Sequence, residues 1–311
     1  MSEYLEEKIK IGISACMYGC KFRYNAKGWN QLEYLGRDAS SYVWYPVCPE
    51  VQAGLGVPRE AIRITGESGS SVWEGSGKVI SSSGKNLTHA LTESCKNALE
   101  SLLKAEVSVF IYMEGSPSCG VYRTTLKNNR LGKPPGVFGH LLLENGFFLI
   151  PASDLSSPVK RWDWRRRMLA FLWLKKQTID SKADLYGVWH TLKFLCQEID
   201  ESQARLLGHE IANLKALDAS EAQSYKQIIL NMLRRPSTAS KIKNRLWKHY
   251  SHYRKQMGKS VEGIQRPNDM RSMTALAQEL MKMELEAMDT DYLFGAAPVV
   301  NRKKKERDVV E

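Results

Sequence analysis

The chain has 311 residues, enough for two ordinary domains, and its 43% hydrophobic and 25% charged content is that of a globular protein. No apolar run approaches the roughly 20 residues of a membrane-spanning helix, and the opening MSEYLEEK is acidic where a signal peptide is basic, so a cytoplasmic protein with no membrane partner is expected. The net charge of +11 is uneven: residues 1–155 hold 16 Lys/Arg against 15 Asp/Glu, residues 156–311 hold 29 against 19, and the basic second half points to an anionic partner.

In chain order, residues 11–15 (IGISA) form a short apolar run that stops at Cys16, and residues 42–47 (YVWYPV) are β-prone and stop at Cys48. Residues 68–84 are rich in Gly and Ser and read as an exposed, mobile loop. Leu87, Leu91, Ser94, Ala98 and Leu102 repeat at helical spacing, predicting a helix over 87–104. Residues 107–112 (VSVFIY) predict a strand, followed by the loop MEGSPSCG that carries Cys119. Strands alternating with a helix imply an α/β domain with a mostly parallel sheet. Residues 151–158 (PASDLSSP) read as a linker, giving domains 1–155 and 160–311. The second domain reads as all-α, with helices over 163–177, 182–198, 201–217, 219–234, 239–256 and 270–288 and a charged, disordered tail from Asn301 onward. No internal repeat is present.

In a reducing compartment, six cysteines point to thiols or metal ligands before disulfides. Cys16, Cys48 and Cys119 each follow a predicted strand and are set among turn-forming residues. Ligands of open α/β sheets bind beyond the carboxyl ends of the strands, so the three can converge. Cys95 and Cys196 lie inside helical patterns and read as core residues. Cys20 is either a fourth ligand or a packing residue. Three thiolates suit zinc with a further ligand or water, or an iron–sulfur cube with one open iron, and neither His89 nor His140 stands in a ligand-type pairing. Gly77-Lys78 and Gly84-Lys85 lack the spacing of a phosphate-binding loop, which argues against nucleotide hydrolysis. Arg59, Arg63 and Arg123 are candidate phosphate contacts.

The stretches GISACMYGCKFRYN, VCPEVQAGLGVPREAIRITG, GKNLTHAL, EGSPSCGVYRTTL and PPGVFGHLLLENG resemble, collinearly over about residues 9–150, the thiouracil desulfidase (TudS) family. The resemblance implies a [4Fe-4S] cluster on Cys16, Cys48 and Cys119, an acidic catalytic residue at Glu50 and a catalytic serine at Ser116 or Ser118. Two features depart from the family: Met113, Glu114 and Gly115 stand where a basic residue is frequent, and Cys20 is additional. LYGVWHTLKFL, RLLGHEIANL and KIKNRLWKHYSHYRKQ resemble the helical YbgA-like domain over about residues 180–260. The fusion of the two resembles the tRNA 4-thiouridine desulfidase (RudS) group, which implies thiolated tRNA as partner and substrate.

Replacing a thiocarbonyl by a carbonyl requires a leaving sulfur, an activated water and a stabilised anion. An open iron serves the first as a sulfur-seeking Lewis acid, and Glu50, two residues from Cys48, is the candidate general base. Ser116 or Ser118 is the candidate donor to the sulfur or the ring. In the second domain, residues 234–259 hold nine Lys/Arg and no acid. Lys241, Arg245, Lys248, His252 and Lys255 share one helix face beside an apolar face of Ile242, Leu246, Tyr250, Tyr253 and Met257, as a phosphate-tracking surface would. Arg161, Arg165, Arg166 and Arg167 with Trp162 and Trp164 form a second cluster. The competing readings are a solvated helix face, a desulfidase of free thiouracil or its nucleotides, and a non-catalytic iron–sulfur RNA-binding protein.

Overall fold

The computed structural model describes Leu5, residues 7–125 and residues 131–301. The chain divides into two units, Lys8–Ser156 and Ser157–Glu311 with Met1–Glu7.

The first unit is α/β. Strands β1 (Ile9–Ser14), β2 (Tyr42–Val47), β5 (Val109–Tyr112) and β6 (Phe148–Pro151) form an all-parallel sheet in the order β2-β1-β5-β6. Parallel strands with both faces covered are apolar throughout. Accordingly, all four residues of β5 and five of the six in β1 are buried. Gly12 is required at the β1–β5 contact, because a Cβ there would lie 2.5 Å from the Phe110 ring. A two-stranded antiparallel sheet pairs β3 (Ile62–Ile64) with β4 (Val79–Ser81).

Among the described residues, the α-helices that accompany the sheets are α1 (Pro49–Gln52), α2 (Gly69–Trp73), α3 (Thr88–Lys104) and α4 (Val137–Glu144). The α3 helix buries Leu91, Ser94, Cys95, Ala98 and Leu102, the face its periodicity predicts. The Gly/Ser-rich stretch departs from the expected mobile loop: it contains α2 and β4. Ser68 and Ser71 close a capping box on α2, Val72 and Val79 are buried, and the Trp73 indole donates to the Val137 carbonyl at 2.9 Å. Serines there satisfy backbone groups, which composition alone reads as looseness.

The second unit is helical: α5 (Pro158–Lys176), α6 (Lys182–Ile199), α7 (Glu201–Asn213), α8 (Ala219–Leu233), α9 (Ala239–Met257) and α10 (Met273–Asp289). Side chains of Ser181, Asp200, Asp218, Thr238 and Ser272 accept backbone amides at the starts of α6 to α10, as N-caps do. The division between the two units falls within the expected linker, which is ordered as the end of β6, a 3-10 turn over Ala152–Ser156 with Ala152 and Leu155 buried, and Pro158 in the first turn of α5. Helix α5 thus begins five residues earlier than its apolar pattern predicts. Among the described residues, no helix is long and apolar enough to cross a membrane. The charged tail beyond Asn301 lies outside the described residues.

Candidate active site

The order β2-β1-β5-β6 sets the site. The strands are added outward in opposite directions from β1 and β5, so the crevice beyond the carboxyl ends of these two parallel strands is where an α/β sheet opens for a ligand. Cys16 follows β1, Cys48 follows β2, and the loop after β5 carries Cys119. All three line one cleft of about 690 Å³, together with Glu50, Ser116 and Ser118.

Each sulfur is positioned by its local sequence. Cys48 is the N-cap of α1, Pro49 opens that helix, and Ser94 of α3 donates to the Pro49 carbonyl at 2.7 Å. The Ser-Pro-Ser-Cys loop is clamped on the start of α4. The Val137 amide meets the Pro117 carbonyl, and the Phe138 and Gly139 amides meet the Ser118 carbonyl, at 2.9–3.0 Å. Gly139 permits this approach, since a Cβ would lie 2.2 Å from the Gly120 carbonyl oxygen.

Burial pushes the Cys16 thiol up to about 12, with Cys48 adding to the shift and Arg23 opposing it. Burial also raises Cys48, against the amide of Val51, and raises Cys119, with the charges of Cys48 and Cys16 adding to it. Three sulfurs that repel one another as thiolates form a donor set that a cationic group would relieve. All six cysteines are free. Among the described residues, no three His, Cys, Asp or Glu side chains are placed to hold a single metal ion. Cysteine thiolates are the usual ligands of iron–sulfur clusters, so Cys16, Cys48 and Cys119 are the residues that would hold such a group. Cys95 and Cys196 are fully buried, and Cys20 does not line the cleft.

Glu50 is held from both sides. Its Oε2 accepts from Arg59 Nε at 2.9 Å and Nη2 at 2.5 Å, and its Oε1 accepts from Ser118 Oγ at 2.5 Å. Ser116 Oγ lies 2.9 Å from Ser118 Oγ and 3.5 Å from Glu50 Oε1, and accepts the Cys119 amide at 3.1 Å. Ser118 is 1% exposed, whereas Ser116 is half-buried. Ser116, Ser118 and Glu50 thus form one hydrogen-bonded chain in the cleft.

Arg59, expected as a phosphate contact, lines the cleft but is paired with Glu50. Its side chain is 5% exposed, and its Nη1 also donates to the carbonyls of Phe22 and Gly56. Its partner was hidden because the E-x8-R spacing of Glu50 and Arg59 spans an irregular turn and has no period. Arg63 lines the cleft, whereas the Arg123 guanidinium turns to the Thr125 carbonyl.

The expected RNA contacts of the helical unit separate into distinct classes. Arg166 is corrected: its side chain is wholly buried and pairs with Asp163 and Glu198, out of reach of a nucleic acid. Arg167 also pairs with Asp163. Burial works against the Asp163 charge, but Arg167 and Arg166 outweigh it and hold the carboxyl below its ordinary range. Arg165 pairs with Glu284, Lys241 Nζ donates to the Ile199 carbonyl at 2.7 Å, and Arg245 is half-buried. Lys248 and Lys255 are exposed on α9, opposite the buried Ile242, Leu246, Tyr250 and Tyr253.

The YbbK protein of Bacillus subtilis (strain 168) is 28% identical over 151 residues, 47% of this chain and 97% of its own. A solved structure of a [4Fe-4S]-dependent thiouracil desulfidase, TudS, is 27% identical, with a TM-score of 0.38, over 48% of this chain and 93% of the other. The family described as 2-thiouracil desulfurase matches residues 11–154, so the match lies wholly within the α/β unit and takes in every cleft residue described above.

Proposed function

We propose that the α/β unit holds a [4Fe-4S] cluster on Cys16, Cys48 and Cys119 and removes sulfur from a thiolated uracil base, with 4-thiouridine in tRNA as the substrate. The helical unit would hold the RNA. The observation that carries the proposal is the hydrogen-bonded set of Glu50, Ser118 and Ser116 in the cleft lined by three cysteines. The family match over residues 11–154 supports the desulfidase chemistry. The basic charge of the second half and its resemblance to the YbgA-like domain support the tRNA substrate.

Held by Cys16, Cys48 and Cys119, such a cluster would supply Lewis-acid chemistry with affinity for thiocarbonyl sulfur. The protein supplies the proton chemistry. Glu50 Oε1 takes a proton from water, and the new C–O bond replaces the C–S bond, with sulfur leaving as hydrogen sulfide and no net electron transfer. Arg59 fixes Oε2, which leaves Oε1 as the working oxygen. Ser116, the more open hydroxyl, meets the substrate, and Ser118 relays between it and Glu50.

The test is anaerobic reconstitution with iron and sulfide, then sulfide release from thiolated tRNA and from free thiouracil side by side. Preference for the tRNA supports the proposal. Activity on free thiouracil alone would assign the second reading, a desulfidase of the free base or its nucleotides, which the family description favours. A loaded cluster inert on both would assign the non-catalytic one. Lys248→Gln with Lys255→Gln should weaken tRNA binding and flatten its salt dependence, and an unchanged slope would remove α9 from the RNA surface.

A further inference from the structure

We infer that the loop over residues 18–32, which reaches the cleft through Phe22, Arg23 and Tyr24, is a stacking platform for the unpaired nucleotides that flank the reacting base. This inference rests on the RNA substrate proposed above. Tyr18, Phe22, Tyr24 and Trp29 are 38, 38, 43 and 43% exposed, and Phe22 and Tyr24 line the cleft. Large rings left in water beside a ligand cleft mark a binding surface. Lys21, Arg23 and Lys27 are interleaved with them, and no Asp or Glu occurs between residues 18 and 32. A base inside folded RNA must leave its stack to reach a cleft, and its neighbours then lose a partner that aromatic faces can replace. Such stacking tolerates any base, and cations beside the rings meet the backbone.

The loop is built to hold these rings in place. The Trp29 amide donates to the Cys16 carbonyl at 2.7 Å, and Tyr18 and Asn30 form a β-bridge. Arg59, the partner of Glu50, also binds the Phe22 carbonyl through its side chain and the Tyr24 carbonyl through its amide. The platform is thereby tied to both Cys16 and Glu50. The Arg23 guanidinium lies 4.7 Å from the Trp29 ring centroid. Its Nη1 is buried with no hydrogen-bond partner, and among the described residues no carboxylate pairs with it. The Arg23 side chain also lines the cleft, so its charge is placed beside the rings where a backbone phosphate would lie.

The test uses the full chain and a short fluorescein-labelled oligouridylate, with affinity read by anisotropy over a salt series. Tyr24→Ala and Trp29→Ala should each weaken binding roughly 5- to 150-fold, and Trp29→Phe, which keeps a π face, should stay near wild type. Lys21→Gln with Lys27→Gln should flatten the salt slope. Wild-type affinity in both alanine variants, or no binding of the oligouridylate by the wild-type protein, would overturn the inference. Should the alanine variants melt early, the exposed Lys21 and Lys27 decide it: an unchanged salt slope overturns it. If sulfide is released only from free thiouracil, the tRNA reading fails, while the oligouridylate arm still judges the platform by itself.

Discussion

Replacing Arg59 by methionine would leave the Glu50 carboxylate buried without its cation. The two side chains are 5 and 12% exposed, so water can screen little of the loss. Breaking one side of a buried ion pair costs about 3–5 kcal/mol. Ser118 would still donate to Oε1, which places the cost near the lower end, about 3 kcal/mol. For a unit of about 150 residues, that lowers the melting temperature by roughly 6–12 °C. The assay is thermal melting of Arg59→Met, Glu50→Gln and the double variant, followed in the α/β unit. With the anion neutralised, loss of Arg59 should cost much less, so the double variant should melt above the sum of the single effects. Arg59→Lys should recover part of both stability and sulfide release, because charge returns without the paired geometry. If Arg59→Met melted with the wild-type protein, or if the two changes were additive, the coupling argued from the contacts would be refuted.

Cys16→Ser, Cys48→Ser or Cys119→Ser should each abolish the broad visible absorption of the reconstituted protein, and Cys95→Ser and Cys196→Ser should keep it; a full spectrum in the first three would refute the ligand assignment. Glu50→Gln should retain the cluster yet slow sulfide release on the order of a hundred- to ten-thousand-fold, measured under single-turnover conditions, and near-normal turnover would move the base elsewhere. His249 predicts an acid weakness in the helical unit: burial, with Arg245 adding to it, lowers its pKa to about 3, and its Nε2 is buried without a partner. The unfolded chain therefore binds a proton that the folded unit refuses between about pH 6.5 and 3, so stability present above pH 6.5 is lost as pH falls through that window. His249→Phe, seated between Phe194 and Phe294, should flatten the melting temperature against pH there, and an unchanged profile would exclude His249 as the cause.

The sequence by itself determined the local structure and the chemical inventory. Apolar runs of β-prone residues marked β1, β2 and β5, and the 3.6-residue period of Leu91, Ser94, Ala98 and Leu102 marked α3, because both signals reside in neighbouring residues. Ser181, Asp200, Asp218, Thr238 and Ser272 set the starts of five helices for the same reason: a cap acts within four residues. The cysteine loops could be singled out at strand ends, and Cys95 and Cys196 set apart by their helical context. Tertiary structure alone decided the rest. The order β2-β1-β5-β6, which brings Cys16, Cys48 and Cys119 to one cleft, depends on strand neighbours chosen among segments up to a hundred residues apart. The same holds for Ser118 against Glu50 across 68 positions, and for Arg166, which belongs to a basic cluster in sequence and to a buried ion pair with Glu198 in space. A charge run reads as surface until the fold supplies its counter-charges, and those come from elements that no local period connects.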